Sequence, residues 1–346
     1  MRVNIAYLPM HSAYHRKTWY CLEKLRYVIR QKFVILVLLL TLLWLILLHY
    51  YNFIITIFYC VTFIQVDNIE NHLEPVRIKT VNPVCSIFEK YDSTYSKNFD
   101  LNETALNNLH SRHHIRQGGA WEPIHCIPQH HVAIIVPYRD RETQLKIFLS
   151  HMHGFLQKQS ISYQIFVIEQ KSPALFNRGK LFNIGYMEAL KIKPFHCFIF
   201  HDVDLMPTNP NNIYACTKQP RHMSVAIDIF DYELPYCTIF GGAIAMLHHQ
   251  FRRVNGFSNL YFGWGGEDDD LFQRLSNYYS ICRFSKEVSE YVMLNHKKQT
   301  QLESRWKQLE SGPFRFKTDG LNTLARNYTV ANYIKLPLET RILVDL

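Results

Sequence analysis

Apolar positions along this chain follow two textures. The first is a single run, FVILVLLLTLLWLILLHYYNFIITIFYCVTFIQV over residues 33–66, with no formal charge. A bilayer core takes roughly 20 apolar residues in a helix, and residues 33–55 supply them with no polar stripe to turn toward water. The run is too long for the core of a signal peptide, and no small-residue cleavage site follows it. A re-entrant hairpin through residues 53–66 is the alternative, although that piece is short for a second crossing. Residues 67–125 are polar, His- and Asn-rich and weakly periodic, and with the end of the apolar run they predict a stem over 56–125.

The second texture begins near residue 131 and predicts alternating elements. HVAIIVPYRD (131–140), YQIFVIEQ (163–170), FHCFIFHDVD (195–204), HMSVAIDIF (222–230) and YCTIFGGAIAMLH (236–248) read as strands, several of them ending in charged residues. TQLKIFLSHMHGFLQ (143–157), FNRGKLFNIGYMEALK (176–191) and DDLFQRLSNYY (269–279) have helical spacing. Strands alternating with helices predict an α/β fold around a mostly parallel sheet, here preceded by one N-terminal transmembrane helix. Ligands of such sheets bind at the carboxyl ends of the strands, where PYRDR, HDVD and AIDIFD stand.

Charge refines the picture. The 346-residue chain has a net charge of +9, but residues 1–32 carry seven basic side chains against Glu23 alone, six of the nine charges. A nucleic-acid footprint would lie on the folded body, so nucleic acid is discounted. The basic flank before the span and Asp67 and Glu70 after it predict a cytosolic tail over 1–32 and a body across the membrane, in an oxidising compartment. Of eight cysteines, Cys85, Cys126, Cys197, Cys216, Cys237 and Cys282 lie beyond the span, without the CxxC spacing of a zinc site. Asn102-Glu103-Thr104 and Asn327-Tyr328-Thr329 are glycosylation acceptors that suit such a body.

Two stretches carry candidate chemistry. In CFIFHDVDL, strand alternation predicts Asp202 and Asp204 on one face with Val203 on the other. Two carboxylates so close repel unless a cation sits by them. No GxxxxGK[ST] or GxGxxG is present, so phosphates would be met by a metal and by Arg139, Arg141 and Arg178. In FGWGGEDDDLF (262–272), glycines allow close approach to a ligand, and Trp264 is a flat plate on which a sugar ring stacks. Asp269 and Asp270 suit a helix N-terminus. The trio of glycines around a tryptophan suits instead a hydroxyl-bearing substrate deprotonated by a carboxylate.

VAIIVPYRDR, FNRGKLFNIGY, CFIFHDVDL, RHMSVAID, FGG and FGWGGEDDD stand in the order and spacing of the animal β-1,4-galactosyltransferase family, glycosyltransferase family 7, which the chain resembles over residues 126–346. The resemblance implies a GT-A-type fold, a Golgi type II membrane protein, Mn²⁺, a UDP-sugar donor and inverting transfer to the 4-hydroxyl of a terminal GlcNAc on a glycoprotein or glycolipid. It implies Asp268 as catalytic base. Metal ligands would be Asp204, Met293 and His296, the thioether being a donor that chemistry alone would not assign to a hard ion. Donor contacts would be Pro137, Arg139, Arg141, Phe176, Arg178, Asp202, Val203, Ile239 and Trp264. Acceptor contacts would be Tyr236, Gly266, Glu267, Asp269, Arg305, Trp306 and Leu309. Disulfides Cys85–Cys126 and Cys197–Cys216 are implied, with no family partner for Cys237 or Cys282, and so is closure of residues 297–320 over the bound donor.

One departure bears on the donor. Ile239 stands where galactose-transferring members have tyrosine, which crowds the sugar at C2, and the resemblance to invertebrate members with Ile or Leu there implies UDP-GalNAc rather than UDP-Gal. Ile229 replaces a lysine. Outside the family, a glycosidase would need an acid and a base, and arginine-rich strand ends with a membrane tether disfavour it. A non-catalytic sugar-binding membrane protein remains the other alternative.

Overall fold

The computed structural model describes residues 29–51, 61–87, 95, 97–101, 106, 108–112, 114–171, 173–296, 301–324 and 327–346. They form two compact units, the first ending at Phe58 and the second beginning at Tyr59. The described part of the first is one helix, α1 (Ile29–Tyr51), 23 residues long and unburied throughout. Its apolar side chains are exposed along the whole described helix, as the composition predicts for a membrane span. The expected span 33–55 begins inside α1, and residues 52–55 lie outside the described residues.

The second unit is built on a mixed sheet. Its strands are β1 (Val61–Ile64), β2 (Ala120–Trp121), β3 (His131–Tyr138), β4 (Ser162–Gln170), β5 (Cys197–His201), β7 (Arg221–His222), β9 (Ala243–Leu247), β10 (Ile281–Phe284), β12 (Thr329–Lys335) and β13 (Thr340–Asp345). Their order is β1-β10-β7-β9-β5-β3-β4-β13-β12, with β2 on the side of β4. The pairs β5–β3, β3–β4 and β4–β13 are parallel, whereas β9 runs antiparallel to both β5 and β7. A small second sheet joins β6 (Leu205–Pro207), β11 (Glu290–Met293) and β8 (Ala226–Ile227). The principal helices are α2 (Glu142–Gln157), α3 (Arg178–Ile192), α4 (His248–Arg253), α5 (Glu267–Ser276) and α6 (Ser304–Arg315).

Strand alternation explains the two cores. Along β3, Val132, Ile134 and Val136 join a cluster with Phe148 and Met152 of α2, while Ala133 and Ile135 join another with Leu181 and Ile184 of α3 and Leu271 of α5. With both faces covered, β3 and β4 are near-continuous apolar runs. The Asn177 side chain caps α3 by accepting from Lys180 N at 2.8 Å, which fixes Arg178 at the first helical position.

Three expectations need correction here. The strand expected over 222–230 is two short strands and a turn, and that over 236–248 is only β9. Gly242, at φ +78°, breaks the extended run. The stem expected over 56–125 is in its described part not separate from the body. Val61–Ile64 pair with Ile281–Phe284, and Ile64, Ile69 and Leu73 bury against Phe284 and Val288. Cys85–Cys126 and Cys197–Cys216 are both closed, whereas Cys237 is free and exposed and Cys282 free and buried.

Candidate active site

A cavity of about 920 Å³ opens at the carboxyl ends of β3 and β5. Pro137, Arg139 and Arg141 line it after β3, Phe176 and Arg178 at the entry to α3, and Asp202, Val203 and Asp204 after β5. Tyr236, Ile239, Trp264, Gly266 and Glu267–Asp269 line it too, as do Met293, His296, Arg305, Trp306 and Leu309. Every donor, acceptor, metal and catalytic residue expected above thus meets in one cleft. The sequence reading missed His222, Ser224, Phe230 and Gln273, which also line it. RHMSVAID was the available signal for the first two, but a two-residue strand carries no period to read.

The two aspartates after β5 do not lie on one strand face. The strand ends at His201, and Asp202 to Asp204 form a turn, because the chain must reverse to pair β6 with β11. Asp202 turns to Arg178, whose Nε donates to its Oδ1 at 2.6 Å. Asp204 turns to His296, with Oδ2 2.8 Å from Nδ1, and lies 3.7 Å from Arg141. Repulsion between the carboxylates is relieved by separate partners. The Asp204 hydrogen bond raises the His296 imidazole above its ordinary value, against the burial that lowers it.

The register of the small sheet sets Met293 opposite Leu205, beside Asp204. A carboxylate and an imidazole in contact, with a thioether on the same cavity wall, fit a divalent cation with positions left open for a ligand's oxygens. Among the described residues no three His, Cys, Asp or Glu side chains gather into a metal site, so a cation here would draw on Met293.

The four consecutive acids each have a different address. They open α5, where the helix dipole favours them, and about 100° per residue fans them apart. Glu267 accepts from Arg178 Nη1 at 3.1 Å. Burial, with help from Asp268, pushes its carboxyl up to about 7 against the pull of Arg178. Asp269 accepts from Tyr236 Oη at 2.9 Å, and burial with Asp268 alongside pushes it up to about 6. Asp270 is fully buried and turns away from the cavity to Arg274. Asp268 faces the cavity beside Gly241, where a Cβ would come within 2.4 Å of its Oδ2. Ser224 Oγ donates to Gly241 O at 3.1 Å and fixes that backbone.

Gly266 precedes the helix at φ +101°, a conformation that L side chains rarely adopt. This bend delivers Trp264 half-exposed to the rim, with the Arg305 guanidinium 5.6 Å from its ring centroid and 4.7 Å from that of Trp306. Ile239 lies outside any strand and partly exposed in the cavity wall, not in the core. Ile229 and Phe230 stand exposed on the same rim.

Comparison with known proteins agrees with this geometry. Residues 86–217 match the family described as the N-terminal region of glycosyl transferase group 7, and 221–297 that described as the N-terminal domain of galactosyltransferase. β-1,4-galactosyltransferase 1 of Bos taurus is 43% identical over 243 residues, 67% of this chain and 58% of the relative, so the chain spans well under two thirds of that protein. β-1,4-galactosyltransferase 4 of Cricetulus griseus is 43% identical over 232 residues, 66% of this chain and 67% of the relative. Among solved structures, the chain is similar to a Drosophila β1,4-galactosyltransferase 7 mutant in complex with manganese, UDP-Gal and xylobiose. The TM-score is 0.53 at 27% identity, covering 62% of this chain and 93% of that one.

Proposed function

The chain belongs to the glycosyl transferase group 7 family, and from that premise we propose an inverting β-1,4-glycosyltransferase that moves a hexosyl unit from a UDP-sugar to the 4-hydroxyl of a terminal GlcNAc. One observation carries the reading. Asp204 with His296, and Asp268, open into the same cavity, so a metal-held diphosphate and a general base share one space.

Arg139 and Arg141 face the donor's diphosphate, with Phe176 and Pro137 beside the uridine. Asp204, Met293 and His296 would hold manganese, which when bound supplies positive charge to the departing diphosphate. Arg178 spans Asp202 on the donor side and Glu267 on the acceptor side, tying the two walls together. Trp264 and Trp306 stack on sugar rings. Asp268 takes the proton of the acceptor hydroxyl as its oxygen attacks the anomeric carbon from the face opposite UDP. A single displacement needs one base, unlike the acid and base pair of a glycosidase.

The relatives named above are galactosyltransferases, which favours UDP-galactose as donor. The second reading is UDP-GalNAc, favoured by Ile239, whose short side chain in the cavity wall leaves room for a C2 N-acetyl group. The anchor α1 supports a membrane protein, read here as Golgi type II with tail 1–32, span 33–55 and a lumenal body.

A donor panel with manganese and a GlcNAc-terminated acceptor tests both readings. UDP-Gal more than about tenfold faster, ~1.4 kcal/mol in barrier, removes GalNAc; the reverse removes galactose. Asp268→Asn should cut turnover by about 10²–10⁴ with donor binding kept. Unchanged turnover in that variant would sink the base assignment.

A further inference from the structure

The fourth acid of the run, Asp270, lies outside the cavity and outside the chemistry proposed above. It is fully buried, and so is Arg274, whose Nε donates to its Oδ1 at 2.5 Å. Tyr261 Oη donates to Asp270 Oδ2 at 3.0 Å. The second cation on Asp270 comes from another element. Arg315, the last residue of α6, places Nη2 2.7 Å from Asp270 Oδ2.

Arg315 is fully engaged. Its Nη1 donates to Asp319 Oδ2 and to Ser258 Oγ, its Nη2 also to Gln308 O at 2.8 Å and Tyr261 Oη at 3.1 Å, and its Nε to Ser311 Oγ at 3.2 Å. Asp319 in turn accepts from Ser258 Oγ and Asn259 N. One guanidinium thereby joins α6 to α5 and to the loop that leads into the glycine-tryptophan stretch. Backbone packing repeats the message independently. Gly312 of α6 lies so close to α5 that a Cβ there would come within 2.8 Å of Asp270 Oδ2. One to three turns back along the same helix stand Leu309, Trp306 and Arg305, which face the cavity.

We infer that Arg315 is a positioning residue: by bridging buried Asp270 and Asp319 it fixes the helix that presents Arg305, Trp306 and Leu309 to the acceptor. The inference rests on the reading of that wall as acceptor-binding. A lysine reaches one of the two carboxylates as a point charge but cannot fork to both, so it restores part of the effect.

The test uses the full chain in detergent, as Arg315→Ala and Arg315→Lys. Hydrogen exchange over residues 304–316 reads the clamp with no assumption about function. Arg315→Ala should lose protection there while strands β3 and β4 keep theirs. Kinetics read its consequence. The acceptor KM should rise about tenfold or more in Arg315→Ala, and less in Arg315→Lys, while hydrolysis of the UDP-sugar without acceptor stays within about twofold. Unchanged protection over 304–316, or donor hydrolysis falling in step with transfer, overturns the inference. Loss of α6 protection in Arg315→Ala, beside a wild-type chain that neither hydrolyses nor transfers any UDP-sugar, sinks the transferase reading and leaves the clamp standing.

Discussion

At the scale of single residues, the site separates charges that the sequence crowds together. Glu267 and Asp269 have raised carboxyl values of about 7 and 6, from burial first and Asp268 second. A carboxyl whose folded value exceeds its unfolded value of 4.5 holds its proton in the folded state while the unfolded chain releases it, so stability is full below about 4.5 and falls as pH rises toward 7. Thermal unfolding without donor should therefore show wild type losing stability between about pH 5 and pH 7.5 more steeply than Glu267→Gln. Equal slopes would mean that Glu267 is ionised throughout. What pattern could show at this scale was the acidic row and its glycines. The separate partners of Asp202 and Asp204 were hidden, because they depend on a turn that only pairing with β11 imposes. Met293 was legible through resemblance alone, since a thioether carries no signal for a hard cation.

At the scale of elements, the well-read parts are those buried on both faces. β3, β4, α2 and α3 fall within a residue or two of expectation, because their apolar runs are long and their cores close on both sides. The C-terminal hairpin was not read. β12 is mostly exposed and pairs only with β13 among the described residues, so alternation is nearly absent from it. An edge strand of this kind leaves backbone groups open to another chain. Asn327 stands exposed two residues before it, its Nδ2 on Thr323 O at 2.7 Å, and Asn327-Tyr328-Thr329 is the acceptor triplet read above. A glycan there would shield the edge. Endoglycosidase treatment should shift the mobility of the protein from a secreting cell, and Asn327→Gln should remove a part of that shift. Asn102, the other expected acceptor, lies outside the described residues.

At the scale of the molecule, the division into anchor, stem and body moves. Ile64, Ile69 and Leu73 belong to the hydrophobic packing of the sheet, each contributing about 1.5–3 kcal/mol by burial. A chain beginning at Tyr59 should melt cooperatively at the temperature of the full body, whereas one beginning at Pro75 exposes Phe284 and Val288 and should melt markedly lower; equal melting temperatures would return this segment to the stem. The unpaired cysteines carry a consequence of their own. Cys282 is shut in, with burial pushing its thiol up, while Cys237 sits exposed between Tyr236 and Thr238 of the cavity lining. Small disulfides such as oxidised glutathione therefore meet one of these two thiols and not the other. The tripeptide adduct they leave would stand at the mouth of the cleft, so a preparation incubated with oxidised glutathione would forfeit turnover through obstruction, and dithiothreitol would return it.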